Sequence, residues 1–93
     1  SKAIFDNQDL NSLEISDVDL RYASFKGANL SRAKFKNCLL LNTDFTGAIL
    51  SYASFENLDL TQATLSHSDA KGITINVSKF NSVFKDYIHL YAF

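Results

Sequence analysis

Ninety-three residues allow one small domain; 46% are hydrophobic, and nine Lys and Arg stand against ten Asp and Glu for a formal charge of −1. That balance excludes a molecule drawn as a whole to nucleic acid or to an anionic membrane by its net charge. A lone cysteine, Cys38, excludes an intramolecular disulfide and suits a reducing, cytoplasmic compartment, and no apolar run approaches the roughly 18 residues that span a bilayer.

The first twenty residues already set a frame of five. Phe5, Leu10, Ile15 and Leu20 are apolar, and the register continues through Phe25, Leu30, Phe35, Leu40, Phe45, Leu50, Phe55, Leu60, Leu65, Ala70, Ile75 and Phe80. Composition alone gives sixteen such hits on the order of once in a hundred thousand trials. Two residues before these centres the chain is usually small, as at Ala3, Ala23, Ala28, Ala33, Cys38, Thr43, Ala48, Ala53, Ala63 and Ser68, while Gln8, Leu13 and Leu58 depart from the rule. Two residues after them stand Asn7, Gly27, Asn37, Asn42, Gly47, Asn57 and Gly72, residue types that tolerate the positive φ of a type II turn. A period of 3.6 would scatter these classes around a helix, and a period of two would send successive centres to opposite faces of a strand. A short strand and a turn in every five residues accommodates all three, with one large and one small side chain pointing inward.

Runs such as Ala23-Ser24-Phe25-Lys26-Gly27, Ala28-Asn29-Leu30-Ser31-Arg32, Ala48-Ile49-Leu50-Ser51-Tyr52 and Leu58-Asp59-Leu60-Thr61-Gln62 resemble the tandem pattern of the pentapeptide-repeat family. The resemblance covers residues 3–82 and implies a right-handed, four-sided β-helix with four repeats to a coil. Four coils at the interstrand spacing would stand about 19 Å tall. Residues twenty apart then stack: Phe5, Phe25, Phe45 and Leu65 on the first face; Leu10, Leu30, Leu50 and Ala70 on the second; Ile15, Phe35, Phe55 and Ile75 on the third; Leu20, Leu40, Leu60 and Phe80 on the fourth. Aromatic ladders alternate with aliphatic ones.

Beyond Ser82 the frame fails, because the next centre is Lys85, whose charge is too costly to bury in so narrow a column. Val83, Phe84, Tyr87, Ile88 and Tyr91 recur at helical spacing after the candidate N-caps Asn81 and Ser82. The reading is therefore a β-helix over 1–82 and a C-terminal helix over 83–93. That helix either caps the last coil or pairs two chains through Phe84, Tyr87, Ile88, Tyr91 and Phe93, as C-terminal helices do in gyrase-protecting members of the family.

Chemistry-bearing residues do not converge in the sequence. Ser66-His67-Ser68-Asp69 sets triad-like types side by side, but the register points Ser66 and His67 outward, and no catalytic residue is expected. Cys38 points inward, far from His67 and His89 in the chain, so no metal site is expected, and no phosphate-binding loop or other cofactor site either. Asn29-Leu30-Ser31 and Asn76-Val77-Ser78 match the glycosylation pattern on segments whose central residue is buried.

Outward positions are mostly polar. Leu39 and Leu41, which flank the centre Leu40, are the exception, with Tyr22 at a nearby corner; Ile4, Ile49 and Tyr52 are further outward apolar groups. Leu39, Leu41 and Tyr22 are the expected anchors for a protein partner. The expected function is that of a non-enzymatic interaction scaffold, alone or as one domain of a larger bacterial protein or secreted effector, with no small-molecule substrate, nucleic acid or membrane as partner. The alternative implied by the resemblance is a DNA-mimicking, gyrase-binding protein of the quinolone-protection type, against which the near-neutral charge argues.

Overall fold

A computed structural model describes residues 2–58, 60 and 62–76. The chain winds as a four-sided coil that advances by one layer every twenty residues. On the third face the backbone is regular enough to form strands: β1 (Glu14–Ser16), β2 (Lys34–Lys36), β3 (Ser54–Glu56) and β4 (Thr74–Asn76). They make one parallel sheet in the order β1-β2-β3-β4, with Ile15, Phe35, Phe55 and Ile75 in register. Single bridges continue the same twenty-residue pairing elsewhere: Ile4, Ser24, Asp44 and Thr64 on the first face, Asp9, Asn29, Ile49 and Asp69 on the second, Asp19 and Leu39 on the fourth. The expected helix over 83–93 and the centre Phe80 lie outside the described residues.

Backbone bonding explains why five residues suffice for a side. On the first, second and fourth faces a centre donates its N–H to the coil below, as Phe25 does to the Asp44 carbonyl at 2.8 Å, and accepts at its own carbonyl the N–H three residues on, as from Ala28 at 3.1 Å. The residue two after each centre has positive φ at every position from Asn7 to Gly72. Asparagine and glycine were the expected occupants, yet Ser12, Asp17, Tyr22, Arg32, Tyr52, Gln62 and His67 take the same conformation. The ladder above and below fixes the backbone there, and the residue follows.

The interior is a filled column. Phe25, Leu30, Phe35, Leu40, Phe45, Leu50, Phe55 and Leu60 are buried, with alanines 23, 28, 33, 48, 53 and 63 between them. Phe5, Phe25 and Phe45 stack nearly face to face at 4.9 and 5.2 Å, whereas Phe35 meets Phe25, Phe45 and Phe55 edge-on. Such ring geometries follow from the aromatic quadrupole. Of the residues that break the small-residue rule, Leu58 is buried, Leu13 is half-buried and Gln8 is exposed. Leu58 belongs to the third corner, which turns without the three-residue hydrogen bond of the other corners. A corner not drawn in by that bond carries Val18, Cys38 and Leu58, side chains larger than the alanines elsewhere. Inward polar groups find carbonyls: the Thr43 hydroxyl donates to Leu20 at 2.8 Å, and the Ser68 hydroxyl to Leu65 at 2.7 Å.

Charge is banded by coil. The first coil carries Asp6, Asp9, Glu14, Asp17 and Asp19 against Lys2; the second carries Arg21, Lys26, Arg32, Lys34 and Lys36 and no acid; Asp44 and Glu56 return negative charge to the third.

Candidate interaction surface

The residue before each centre decides what the outer wall presents. Where it is Asp or Asn, its side chain accepts the N–H of the turn residue just past the centre: Asp9 from Asn11, Asp19 from Arg21, Asn29 from Ser31, Asp44 from Thr46 and Asp69 from Lys71, at 2.9 to 3.2 Å. Such local acceptors are the reason these residue types favour turns. Ile4, Leu39 and Ile49 occupy the same position and bring no acceptor.

Several residues of the sequence motifs are occupied in the same way. Asn29 of the first glycosylation match is a half-buried turn cap, its carboxamide oxygen accepting the Ser31 hydroxyl as well, at 2.8 Å. Along 66–69 the coil separates the triad-like types: Ser68 is buried and bonded to Leu65, His67 is exposed at a corner, and Asp69 caps its own turn. Cys38 is buried with its thiol toward the Lys36 carbonyl at 3.5 Å. Among the described residues no group of three or more His, Cys, Asp and Glu is placed to hold a metal ion. Asn76 ends β4, and the rest of the second glycosylation match lies outside the described residues.

Leu39 is 50% exposed and Tyr22 57% exposed, as their outward register implies. Leu41 differs: it was expected in water and is half-buried. It lies beneath the corner of the coil above, where the Tyr22 N–H reaches the Leu41 carbonyl at 3.2 Å. Ile4, exposed to 55%, belongs to the same corner, since it pairs with Ser24, two residues along from Tyr22. The twenty-residue register carries that signal, but linear distance along the chain conceals it. Leu39, Tyr22 and Ile4 thus lie at one corner and on the two faces that meet there.

The charges along this corner are matched within the molecule. Arg21 holds Asp19 through two nitrogens, at 2.9 and 2.7 Å, and Lys26 lies 3.7 Å from Asp44. Hydrogen bonding from the Arg21 side chain, and then from its amide, lowers Asp19 to a pKa of about 2. Partial burial pushes Asp44 upward, but the Thr46 hydroxyl and amide, with Lys26, outweigh it and leave the carboxyl below its ordinary value. Asp6 accepts the Ser24 hydroxyl and, at 3.0 Å, the Lys26 amide.

Comparison with known proteins agrees with this architecture. A family model described as pentapeptide repeats matches eight copies over residues 28–66. No curated protein sequence matches the chain. Among solved structures, QnrB1, a plasmid-mediated fluoroquinolone resistance protein, is similar with a TM-score of 0.69 at 20% identity, over 83% of this chain and 44% of its own. A pentapeptide repeat protein from the Arabidopsis thaliana thylakoid lumen gives 0.62 at 20% identity, over 88% of this chain and 59% of its own. HetL of Nostoc sp. strain PCC 7120, involved in heterocyst differentiation regulation, gives 0.57 at 27% identity, over 74% of this chain and 31% of its own. The chain therefore spans less than two thirds of each of these relatives. Their shared fold is the right-handed quadrilateral β-helix. Residues 28–66 thus carry the repeats of the pentapeptide-repeat family, and the coil they help to build has the fold of that family's solved structures.

Proposed function

We propose that the column is a non-enzymatic scaffold for protein interaction, and that a partner engages the fourth face and its corner through Leu39, Tyr22 and Leu41, with Ile4 extending the contact. The observation that carries the reading is the residue at position 39. There an aliphatic group stands in water where Asp19, on the same face, caps its own turn, and the charges around it are already paired. Such a surface has little to offer a charged ligand and favours apolar contact rimmed by polar groups. The test is a paired capture with the parent column and the Leu39→Asn column as baits. A protein retained by the first and lost by the second supports the proposal; equal retention moves the function to another face.

The second reading is a DNA-mimicking, gyrase-binding role, suggested by the fold shared with the fluoroquinolone resistance protein QnrB1. The charge bands argue against it, because a mimic of duplex DNA needs a continuous anionic field and the second coil interrupts it with five cations. A cytoplasmic location fits the buried, unpaired thiol of Cys38. Homodimerisation through Phe84, Tyr87, Ile88, Tyr91 and Phe93, which lie outside the described residues, is tested separately by sedimentation of the intact chain and of one ending at residue 82. A monomeric intact chain rules it out.

A further inference from the structure

Diagonally across the column, between the second and third faces, the corner stack reads Ser12, Arg32, Tyr52 and Gly72. The Arg32 guanidinium lies 5.7 Å from the centre of the Tyr52 ring, and the same ring packs on Gly72, where an added Cβ would come within 2.6 Å of it. Tyr52 is thus fixed between a cation and a glycine, yet 53% of it remains exposed, and Ile49 beside it is exposed too. From Arg32 the chain runs straight into β2, whose ends are Lys34 and Lys36. Among the described residues the ion pairs are Asp19–Arg21 and Lys26–Asp44, so none of these three cations is neutralised at contact distance.

We propose that this second corner docks an extended acidic segment of a partner protein, with carboxylates on Lys34 and Lys36 and a neighbouring apolar side chain on Tyr52 and Ile49. The spacing suits a peptide in β conformation. Lys34 and Lys36 are alternate residues of one strand, about 6.6 Å apart, the distance between alternate side chains of any extended chain. The strip is also short and narrow. Glu14 pairs with Lys34 from the coil above and Glu56 with Lys36 from the coil below, which confines the cationic band to one coil, roughly 4.8 Å high. A DNA duplex, whose phosphates flank a minor groove about 6 Å wide, would set phosphates against Glu14 or Glu56, above and below the band. Two carboxylates and one apolar group fill it. The surface shares no residue with the fourth-face patch, so one column would hold two partners on opposite corners.

The test uses the full chain and three probes carrying a neutral fluorophore: an eight-residue peptide of alternating glutamate and leucine, the same peptide with glutamine for glutamate, and a single-stranded DNA octamer. The glutamate peptide is expected to bind saturably and at least tenfold more tightly than either other probe. Lys34→Gln with Lys36→Gln should weaken it at least tenfold with the melting temperature unchanged. Tyr52→Asn, chosen because asparagine tolerates the left-handed turn position, should also weaken it, whereas Leu39→Asn should not. No saturable binding up to millimolar peptide, tighter binding of the DNA octamer, undiminished binding by the lysine variant, or loss of binding in Leu39→Asn would each overturn the proposal.

Discussion

At the scale of single residues, the outer wall is a set of local choices between capping a turn and displaying a side chain. Leu39→Asn restores an acceptor for the Leu41 amide while removing an exposed aliphatic side chain. The two effects should leave stability within about 0.5 kcal/mol of the parent by urea unfolding. Leu41→Ser is expected to lose about 1 kcal/mol, because that side chain is half-buried. Asp19 gives a second residue-scale prediction. Its folded pKa is depressed to about 2 from an ordinary 3.8, so the Arg21 pair stabilises the fold above pH 3.8 and is lost as the pH falls toward 2. A carboxyl NMR titration should place the Asp19 midpoint near 2 and move it upward in Arg21→Gln; a parent midpoint at the ordinary value would contradict the pairing.

At the scale of the repeat, the corners show where the sequence could and could not be read. The centres were legible because burial demands an apolar residue at every fifth position, and nothing competes with that demand. The left-handed corners were legible only where Asn or Gly advertises them. Tyr22, Arg32 and Tyr52 give no such signal, since their own preference opposes positive φ by about 1–2 kcal/mol each and the interstrand ladder overrides it. The partial burial of Leu41 gives no signal either, because the repeat pattern alone marks the residue after a centre as outward. The same corners separate two glycines. A Cβ at Gly47 would meet only the Gly27 amide nitrogen at 3.9 Å, so Gly47→Ala should lose little beyond the left-handed penalty, about 1 kcal/mol. Gly72→Ala must also displace the Tyr52 ring and should lose about 1–2 kcal/mol more. In a Tyr52→Asn background that excess should vanish in the unfolding cycle; if it persists, the ring is not the obstacle.

At the scale of the molecule, four coils are too few for one rung to fail alone. Phe35 touches the rings of Phe25, Phe45 and Phe55, so Phe35→Asp removes aromatic contacts on two faces and leaves a buried carboxylate with no counter-charge. Loss of the ring alone is worth about 3–5 kcal/mol, comparable with the whole stability of many small domains. The variant should show no β-type circular dichroism at 25 °C, and a folded spectrum with the parent melting temperature would refute the packing.

The stacking of acidic on basic coils also governs how partners arrive. Bands of opposite sign one interstrand spacing apart cancel each other's potential within roughly that distance, less than the Debye length of about 8 Å in physiological salt. A charged partner diffusing toward the wall therefore feels almost no pull until it is in contact. Encounter should proceed at the unsteered rate, about 10⁵–10⁶ M⁻¹s⁻¹, and stopped-flow measurements should find that rate nearly flat between low and physiological salt. Added salt would act instead on the lifetime of the bound state, so selectivity resides in departure and not in arrival.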